Sequence, residues 1–236
     1  MKIVYLSVEY VASGQGHLDR LPCAIRLKHD ATQRYQHVII DWADRMTSPL
    51  TALSRVSHDL IRDHGIPCGQ AMDRICAELS PDTVIVGMNM KRHIHALQLC
   101  KNVHYSNYID LTSSLKLKHK GRWHFLPLAT MAAVLGMTPC PADELDMARF
   151  VHRKCATAAQ HTEVVKQLTD HLASQPPPPS DAPKRYSIDG VCTSAYNARH
   201  CTCQQMSLNP HPSNQRRPPR TSTTSFPAAA PVATSS

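Results

Sequence analysis

The chain has 236 residues, of which 42% are hydrophobic but only 5% aromatic, so it is long enough for one substantial domain with a largely aliphatic core. It contains no run of about 18 apolar residues, which excludes a membrane-spanning helix, and its start lacks the apolar segment of a signal peptide. A formal net charge of +8, with fifteen histidines uncounted, favours nucleic acid or another polyanion as the partner rather than a membrane. Nine cysteines, an odd number, indicate a reduced intracellular protein of the cytoplasm or nucleus rather than a disulfide framework.

Five segments have the composition of β-strands. Three strands are predicted at 2–12, 24–28 and 35–42, because each is rich in β-branched, aromatic and other apolar residues. The short turn signals between them favour an antiparallel meander. A continuous apolar run at 83–87 is typical of a buried parallel strand, and a further short strand is expected at 108–111.

Helices are predicted where apolar residues recur at helical spacing, at 70–79, 90–99 and 127–135. One helical turn is expected within 50–56, and one long final helix over 143–172. The order of these elements predicts an α/β fold with a mixed sheet, in which three antiparallel strands and additional parallel strands are flanked by helices.

Residues 173–236 are predicted to form a disordered, basic tail after a domain that spans 1–172. Eleven of the eighteen prolines lie in this tail, and no periodic apolar pattern accompanies them. The four prolines at 176–179 suit a stiff spacer or a docking site for a protein partner. Four tail residues have the types found in zinc knuckles but not a standard spacing, so we interpret them as incidental. These residues are Cys192, His200, Cys201 and Cys203.

Several segments, in order, resemble the motifs of DnaQ-like DEDDh 3′–5′ exonucleases, which have a ribonuclease-H-like fold. Leu-Ser-Val-Glu at 6–9 resembles the Asp-x-Glu strand of that family. Val-Gly-Met-Asn at 86–89 resembles the start of the second motif, and 125–136 resembles the Leu-Ala helix. His-Arg at 152–153 resembles the third motif, in which an aspartate follows the histidine by five residues. The resemblance spans most of 1–170 and implies the same fold.

The resemblance also implies where the catalytic groups of that family would lie. Its members use four carboxylates to hold two divalent metal ions and a histidine as the general base. At the matching positions this chain has Ser7, His93 and Thr157 instead of aspartates, and only Glu9 and His152 are kept. One carboxylate in place of four does not assemble a two-metal site for Mg²⁺ or Mn²⁺, which require charged oxygen ligands. We therefore predict a degenerate, inactive site with no cofactor.

Two alternatives retain metal binding. An active exonuclease would need Mg²⁺ or Mn²⁺ in a non-standard site. If the fold is right, Glu9, His93 and His152 would converge, and two histidines with one carboxylate suit Zn²⁺ or Fe²⁺. The acidic residues within 143–146 are interpreted as first-turn acids that the helix dipole favours.

Loss of the acids leaves a neutral or basic cleft that can hold phosphate directly. The stretch 116–124 is expected to be a basic loop, suited to phosphate contact and base stacking, although an ordinary solvated loop whose tryptophan partly covers the core is the alternative. The predicted nucleic-acid-binding residues are Lys91, Arg92, Lys116, Lys118, Lys120, Arg122 and Trp123. The predicted function is binding of single-stranded DNA or RNA, or of a protein partner; an active 3′–5′ exonuclease and a scaffold acting through its proline-rich tail are the alternatives.

Overall fold

A six-stranded mixed sheet forms the centre of the computed structural model, which describes residues 1–139, 143–175, 187–193 and 203. Helices cover both faces of this sheet, which confirms the predicted fold class. Its strands are β1 (Lys2–Ala12), β2 (Arg20–His29), β3 (Tyr35–Ile40), β4 (Gly65–Ile66), β5 (Thr83–Gly87) and β6 (Asn107–Asp110). Their order across the sheet is β4-β3-β2-β1-β5-β6.

The predicted meander is present, and β1 is one of the two central strands of the sheet. Strand β1 pairs antiparallel with β2, which pairs antiparallel with β3. On its other side β1 pairs parallel with β5, and β5 pairs parallel with β6. Ser7 lies opposite Arg26 on β2, and the register shifts between Glu9 and Tyr10. The strand that carries the first sequence motif is therefore fixed from both sides.

Alternate residues of β1 enter two different cores, because successive side chains of a strand point to opposite faces. Val4, Leu6 and Val8 belong to one buried cluster. Tyr5 belongs to the cluster on the other face. Ser7 and Glu9 share the parity of Tyr5 and therefore lie on that second face.

Eight helices are described, and those predicted at 70–79, 90–99 and 127–135 are confirmed with slightly different ends. They are α1 (Thr51–Ser54), α2 (His58–His64), α3 (Cys68–Ala77), α4 (Met90–Ala96), α5 (Leu111–Ser114), α6 (Leu128–Val134), α7 (Glu144–Lys154) and α8 (Ala158–Ser174). Helices α3 and α4 pack on the Val4 face, and α6, α7 and α8 pack on the Tyr5 face.

The prediction of one long helix over 143–172 is wrong, because the chain breaks it between α7 and α8. Thr157 is the N-cap of α8, and its hydroxyl accepts the backbone N–H of Gln160 at 3.2 Å. The side-chain oxygen of Gln160 accepts the backbone N–H of Thr157 at 3.1 Å. This reciprocal capping box satisfies two amides that a new helix would otherwise leave without partners.

The basic stretch 116–124 forms a hairpin rather than a loop. Its strands are β7 (Leu117–His119) and β8 (Arg122–His124). Lys120 and Gly121, at the turn, have φ values of 48° and 75°. Positive φ at both central residues is the geometry that matches the twist of a two-residue hairpin.

A short part of the predicted disordered tail is ordered against the domain. Strands β9 (Ser187–Ile188) and β10 (Val191–Cys192) form a hairpin, and Val191 is buried against Ala12 and Leu50. This burial, together with a hydrogen bond of 2.8 Å from the Cys192 amide to the Gln15 carbonyl, explains why 187–193 departs from the prediction. The prolines at 176–179, His200 and Cys201 lie outside the described residues. Among the helices that are described, none has the length and apolar character needed to cross a membrane.

Candidate functional site

Four side chains form a cluster on the face of β1 that packs against α7. The Nη2 atom of Arg26 donates to Ser7 Oγ at 3.2 Å, to Glu9 Oε1 at 3.0 Å and to Glu144 Oε2 at 3.2 Å. The hydroxyl of Ser7 also donates to Glu144 Oε2 at 2.7 Å. We call Ser7, Glu9, Arg26 and Glu144 the Arg26 cluster. It combines the first sequence motif with the N-terminus of α7.

The cation of this cluster lies between two carboxylates that would otherwise repel each other. Burial and the charge of Glu144 raise the pKa of Glu9, whereas Arg26 opposes that rise. The Arg26 side chain is only 16% exposed, so water screens these interactions less than it would at the surface. A divalent ion placed between the carboxylates would have to displace the guanidinium. Two carboxylates and a bound arginine do not match a site built from four carboxylates.

Glu144 has a tertiary role that the sequence interpretation missed. Asp143 behaves as expected of a residue at a helix start, because its side chain caps α7 by accepting a backbone amide. Glu144 and Asp146 do lie in the first turn, but each also pairs with the sheet, Glu144 with Ser7 and Asp146 with Lys28. Interpreting them only through the helix dipole was therefore incomplete.

His152 does not join the Arg26 cluster. Its Nδ1 atom lies 3.1 Å from the hydroxyl of Tyr5. His152 follows Glu144 by eight residues on the same helix, which separates them by about 12 Å along its axis. Thr157 lies beyond the end of that helix and caps α8. Assigning the third motif to His152 and Thr157 is thus wrong for this structure, in which Glu144 is the α7 residue that contacts Ser7.

His93 lies with a tyrosine as well, but on the opposite side of the sheet. Its Nδ1 atom is 2.8 Å from the hydroxyl of Tyr10, which packs against the Val4 core. Burial, aided by the charge of Arg92, lowers the pKa of His93 to about 4, so the ring is neutral near pH 7. The two histidines therefore contact tyrosines that belong to different faces.

The expected convergence of Glu9, His93 and His152 into a zinc or iron site is not found. Among the described residues, one group of three potential metal ligands lies close enough together to bind one ion. Glu9, His93 and His152 are not members of that group. His152 contacts Tyr5 on one face, His93 contacts Tyr10 on the other, and Glu9 contacts Arg26. The sheet separates His93 from the other two predicted ligands, and Glu9 and His152 have different partners on the face that they share.

A basic groove of about 680 Å³ lies between the β1–β2 loop and α4. Its walls include Tyr10, His17, Arg20, Lys91, Arg92 and His95. The guanidinium carbon of Arg92 lies 4.2 Å from the centroid of the Tyr10 ring, and that ring stacks on His93. These contacts hold Arg92 in place by cation–π attraction. The structure thus places the predicted Lys91 and Arg92 in one groove, to which Arg20 adds a third cation.

The basic groove continues toward the Arg26 cluster. A smaller cavity of about 190 Å³ shares Tyr10, His17, Arg20 and Arg92 with the groove, and Glu9 also lines it. A ligand in the groove would therefore lie beside the edge of the cluster. Among the described residues that line the groove and the smaller cavity, the cations outnumber the acids. The acids are Asp110 in the groove and Glu9 in the smaller cavity.

The hairpin β7–β8 forms a second basic surface, which packs against α8 and does not line the groove. Trp123 is 56% exposed and belongs to neither core cluster, so its ring is accessible for stacking, while the choice between a nucleic-acid contact and an ordinary solvated segment stays a prediction. The Nζ atom of Lys116 lies 4.8 Å from the centroid of the Trp123 ring, and the buried residue of the hairpin is Leu117. The remaining predicted contacts, all exposed, are Lys118, Lys120 and Arg122.

Solved structures share this fold at low sequence identity. The Saccharomyces cerevisiae Pan2 pseudoubiquitin hydrolase–RNA exonuclease module in complex with AAGGA RNA matches with a TM-score of 0.57 and 15% identity, over 73% of this chain and 32% of that one. Escherichia coli exonuclease I in complex with a dA16 oligonucleotide matches with a TM-score of 0.52 and 14% identity, over 72% and 43%. The Neurospora crassa Pan2 catalytic unit matches with a TM-score of 0.50 and 11% identity, over 73% and 29%.

The chain therefore has an exonuclease fold, and it spans less than half of the length of these three proteins. No protein-family model and no curated protein sequence matches it.

Proposed function

We propose that this protein binds single-stranded nucleic acid through the basic groove and lacks the exonuclease chemistry associated with its fold. The observation that carries the proposal is the position of Arg26, whose guanidinium lies between the carboxylates of Glu9 and Glu144. An arginine cannot lose its charge near neutral pH. It therefore offsets one of the two negative charges permanently, where a nuclease would use exchangeable metal ions.

Two chemical features argue against hydrolysis at the Arg26 cluster. Arg26 has no lone pair to coordinate an ion and none to activate water, so it replaces the charge of a metal without its chemistry. The hydroxyl of Ser7 donates a hydrogen bond to Glu144. It offers an ion at most a neutral oxygen, which is a weak ligand for Mg²⁺. His93 and His152, the two histidines predicted to serve the site, are both bound to tyrosines instead.

The groove offers what a phosphodiester chain needs. Arg20, Lys91 and Arg92 all line the groove. Such cations bind backbone phosphates with little dependence on the nucleotide sequence. Two of the similar structures are complexes with single strands, AAGGA RNA in one and a dA16 oligonucleotide in the other. Outside the groove, Trp123 on the hairpin supplies an exposed ring on which a base of the same strand can stack.

The binding half is tested by fluorescence anisotropy with labelled oligo(A) RNA and DNA over a salt titration. Replacing both Lys91 and Arg92 with alanine should weaken binding at least about tenfold and reduce the salt slope by about 1.4, since each phosphate contact to a single strand contributes about 0.7. The control is Arg74→Ala, because Arg74 is exposed on α3 and does not line the groove. Binding that ignores both the double substitution and the salt concentration would refute the groove.

The catalytic half is tested with the same oligonucleotides labelled at the 5′ end and incubated with Mg²⁺ or Mn²⁺. We expect no 3′ shortening by the wild-type protein. Robust shortening that Glu9→Ala abolishes would establish the alternative, an active 3′–5′ exonuclease with a non-standard metal site. Shortening that Glu9→Ala leaves unchanged would identify a contaminating nuclease and would not involve this cluster.

A further inference from the structure

A second cluster of metal-ligating residues lies at the rim of the basic groove. His17 is in the loop between β1 and β2, Cys192 is in β10, and Cys203 is the last described residue. The ligand atoms of these three residues all lie within 4.8 Å of one another. The Nδ1 atom of His17 is 3.2 Å from Cys203 Sγ. Residues far apart in sequence thus bring one imidazole and two thiols together.

We propose that His17, Cys192 and Cys203 bind a zinc ion. Thiolate and imidazole are the ligands that Zn²⁺ prefers, whereas Mg²⁺ and Ca²⁺ require oxygen. Ligands at about 2.0–2.3 Å from a tetrahedral ion lie about 3.3–3.8 Å from one another. The observed 3.2 Å between nitrogen and sulfur is close to that separation. An ion would therefore need only small shifts of the side chains.

The scaffold around Cys192 is already ordered by interactions that do not involve its sulfur. Its backbone N–H donates to the carbonyl of Gln15 at 2.8 Å. Its own carbonyl accepts from Arg20 Nη2 at 2.6 Å. Cys192 is fully buried, and Val191 beside it packs on Ala12 and Leu50. The backbone that carries Cys192 is thus hydrogen-bonded to the loop that carries His17. This order lowers the entropy cost of binding an ion.

The position of the site gives the ion a structural consequence. His17 and Arg20 line both the basic groove and the smaller cavity, and Thr193 lines the smaller cavity as well. Zinc would therefore cross-link the C-terminal hairpin to the β1–β2 loop and fix one wall of the groove. The three ligands found among the described residues fill three corners of the tetrahedron, which leaves the fourth for water or another ligand. The proposal concerns metal binding alone and does not require that the groove binds nucleic acid.

The competing chemistry is a disulfide between Cys192 and Cys203. A disulfide would leave His17 without a role as ligand, and its formation would transfer two hydrogens per chain to an external oxidant such as dissolved oxygen. Intact mass under native and denaturing conditions separates the two outcomes, because zinc adds mass only in the native spectrum. A loss of two hydrogens with no bound metal would overturn the proposal.

The quantitative test uses the full chain, purified with a reductant, stripped of metal and titrated with Zn²⁺. Elemental analysis after gel filtration should find one zinc per chain. Cys203→Ser and His17→Gln should each lower the affinity at least about tenfold, with unchanged circular dichroism. Cys100→Ser is the control, because Cys100 is exposed and outside the cluster. These variants avoid the buried Cys192, whose replacement alone could unfold the hairpin.

Cobalt substitution gives a second measurement that reports the ligands directly. Co²⁺ bound by thiolates produces sulfur-to-metal charge-transfer absorption, which should appear in the wild type and lose intensity in Cys203→Ser. The proposal is overturned if zinc stays well below one per chain, or if Cys203→Ser and His17→Gln both bind it as tightly as the wild type. Either failure would leave the salt-dependent oligonucleotide binding of metal-free protein unaffected, so the two proposals stand or fall separately.

Discussion

Replacing Arg26 with methionine should destabilise the protein, because it leaves Glu9 and Glu144 beside each other without a cation. Removing one partner of a fully buried ion pair costs about 3–5 kcal/mol. The side chains of Glu9 and Glu144 remain 24% and 34% exposed, so solvent screening reduces the expected loss in the free energy of unfolding to about 2 kcal/mol. In a domain of this size that loss lowers Tm by about 4–8 °C.

The destabilisation should be larger at pH 7 than near pH 4. Burial and Glu144 already raise the pKa of Glu9 above its unfolded value, and Arg26 limits that rise, so Arg26→Met raises it further. A carboxyl with a raised pKa in the folded state binds its proton more tightly there than in the unfolded chain. Its contribution to stability is therefore full below the unfolded pKa and is lost as pH rises through the folded pKa. Protonation at low pH removes the repulsion that the substitution creates.

Urea and thermal unfolding of wild type and variants at both pH values provide the assay. Arg26→Lys keeps the charge and should retain most of the stability at pH 7. Adding Glu9→Gln and Glu144→Gln to Arg26→Met should recover part of the loss, because it removes both uncompensated charges. The reasoning is refuted if Arg26→Met matches the wild type at pH 7, or if its loss is the same at both pH values.

Three further predictions test the fold around the site and at the start of α8. Because the pKa of His93 is lowered to about 4, its contribution to stability is present above the unfolded pKa and is lost as pH falls; His93→Gln should flatten the acid side of the stability profile, by up to about 3 kcal/mol. Gly87→Ala would place a Cβ 2.4 Å from the carbonyl oxygen of Leu6 and should lower the free energy of unfolding by about 3 kcal/mol. Its control is Gly69→Ala, because a Cβ at position 69 meets open space. That control should be neutral or slightly stabilising in the same unfolding assay. Thr157→Ala should cost about 1 kcal/mol and Thr157→Ser much less, since the hydroxyl caps α8; equal losses in the two variants would exclude the cap as the cause.

The sheet could be predicted from the sequence because its signals are local. The apolar runs at 2–12 and 83–87 and the short turns of the meander each act over a few residues, and the structure follows them. Local signals for the break between α7 and α8 and for the hairpin turn were also present. Thr157 and Gln160 have capping-box spacing, and Lys120-Gly121 is a turn pair that tolerates positive φ.

The candidate site could not be predicted in the same way, because its contacts connect distant parts of the chain. Arg26 and Glu144 are 118 residues apart, and their meeting depends on how α7 packs on β1. A local His-Arg match favours His152 for the third motif, although the packing of α7 places Glu144 next to Ser7. One signal for Arg26 existed: it is a charged residue between two apolar residues of a predicted strand, which suggests a partner on that face.

The Arg26 cluster and the basic groove have a joint consequence for how the protein would meet a phosphodiester. A pocket of bare carboxylates repels phosphate until divalent cations neutralise it, whereas here Arg26 pairs with both Glu9 and Glu144 and already offsets one of their two negative charges. Arg20 and Arg92 then extend the positive charge into the cavity that Glu9 lines. At constant ionic strength, Mg²⁺ should therefore not strengthen oligonucleotide binding by the wild type. In Arg26→Met, where the carboxylates are uncovered, binding should weaken and Mg²⁺ should restore part of it. A Mg²⁺ requirement in the wild type would show that exchangeable ions, and not Arg26, neutralise this end of the groove.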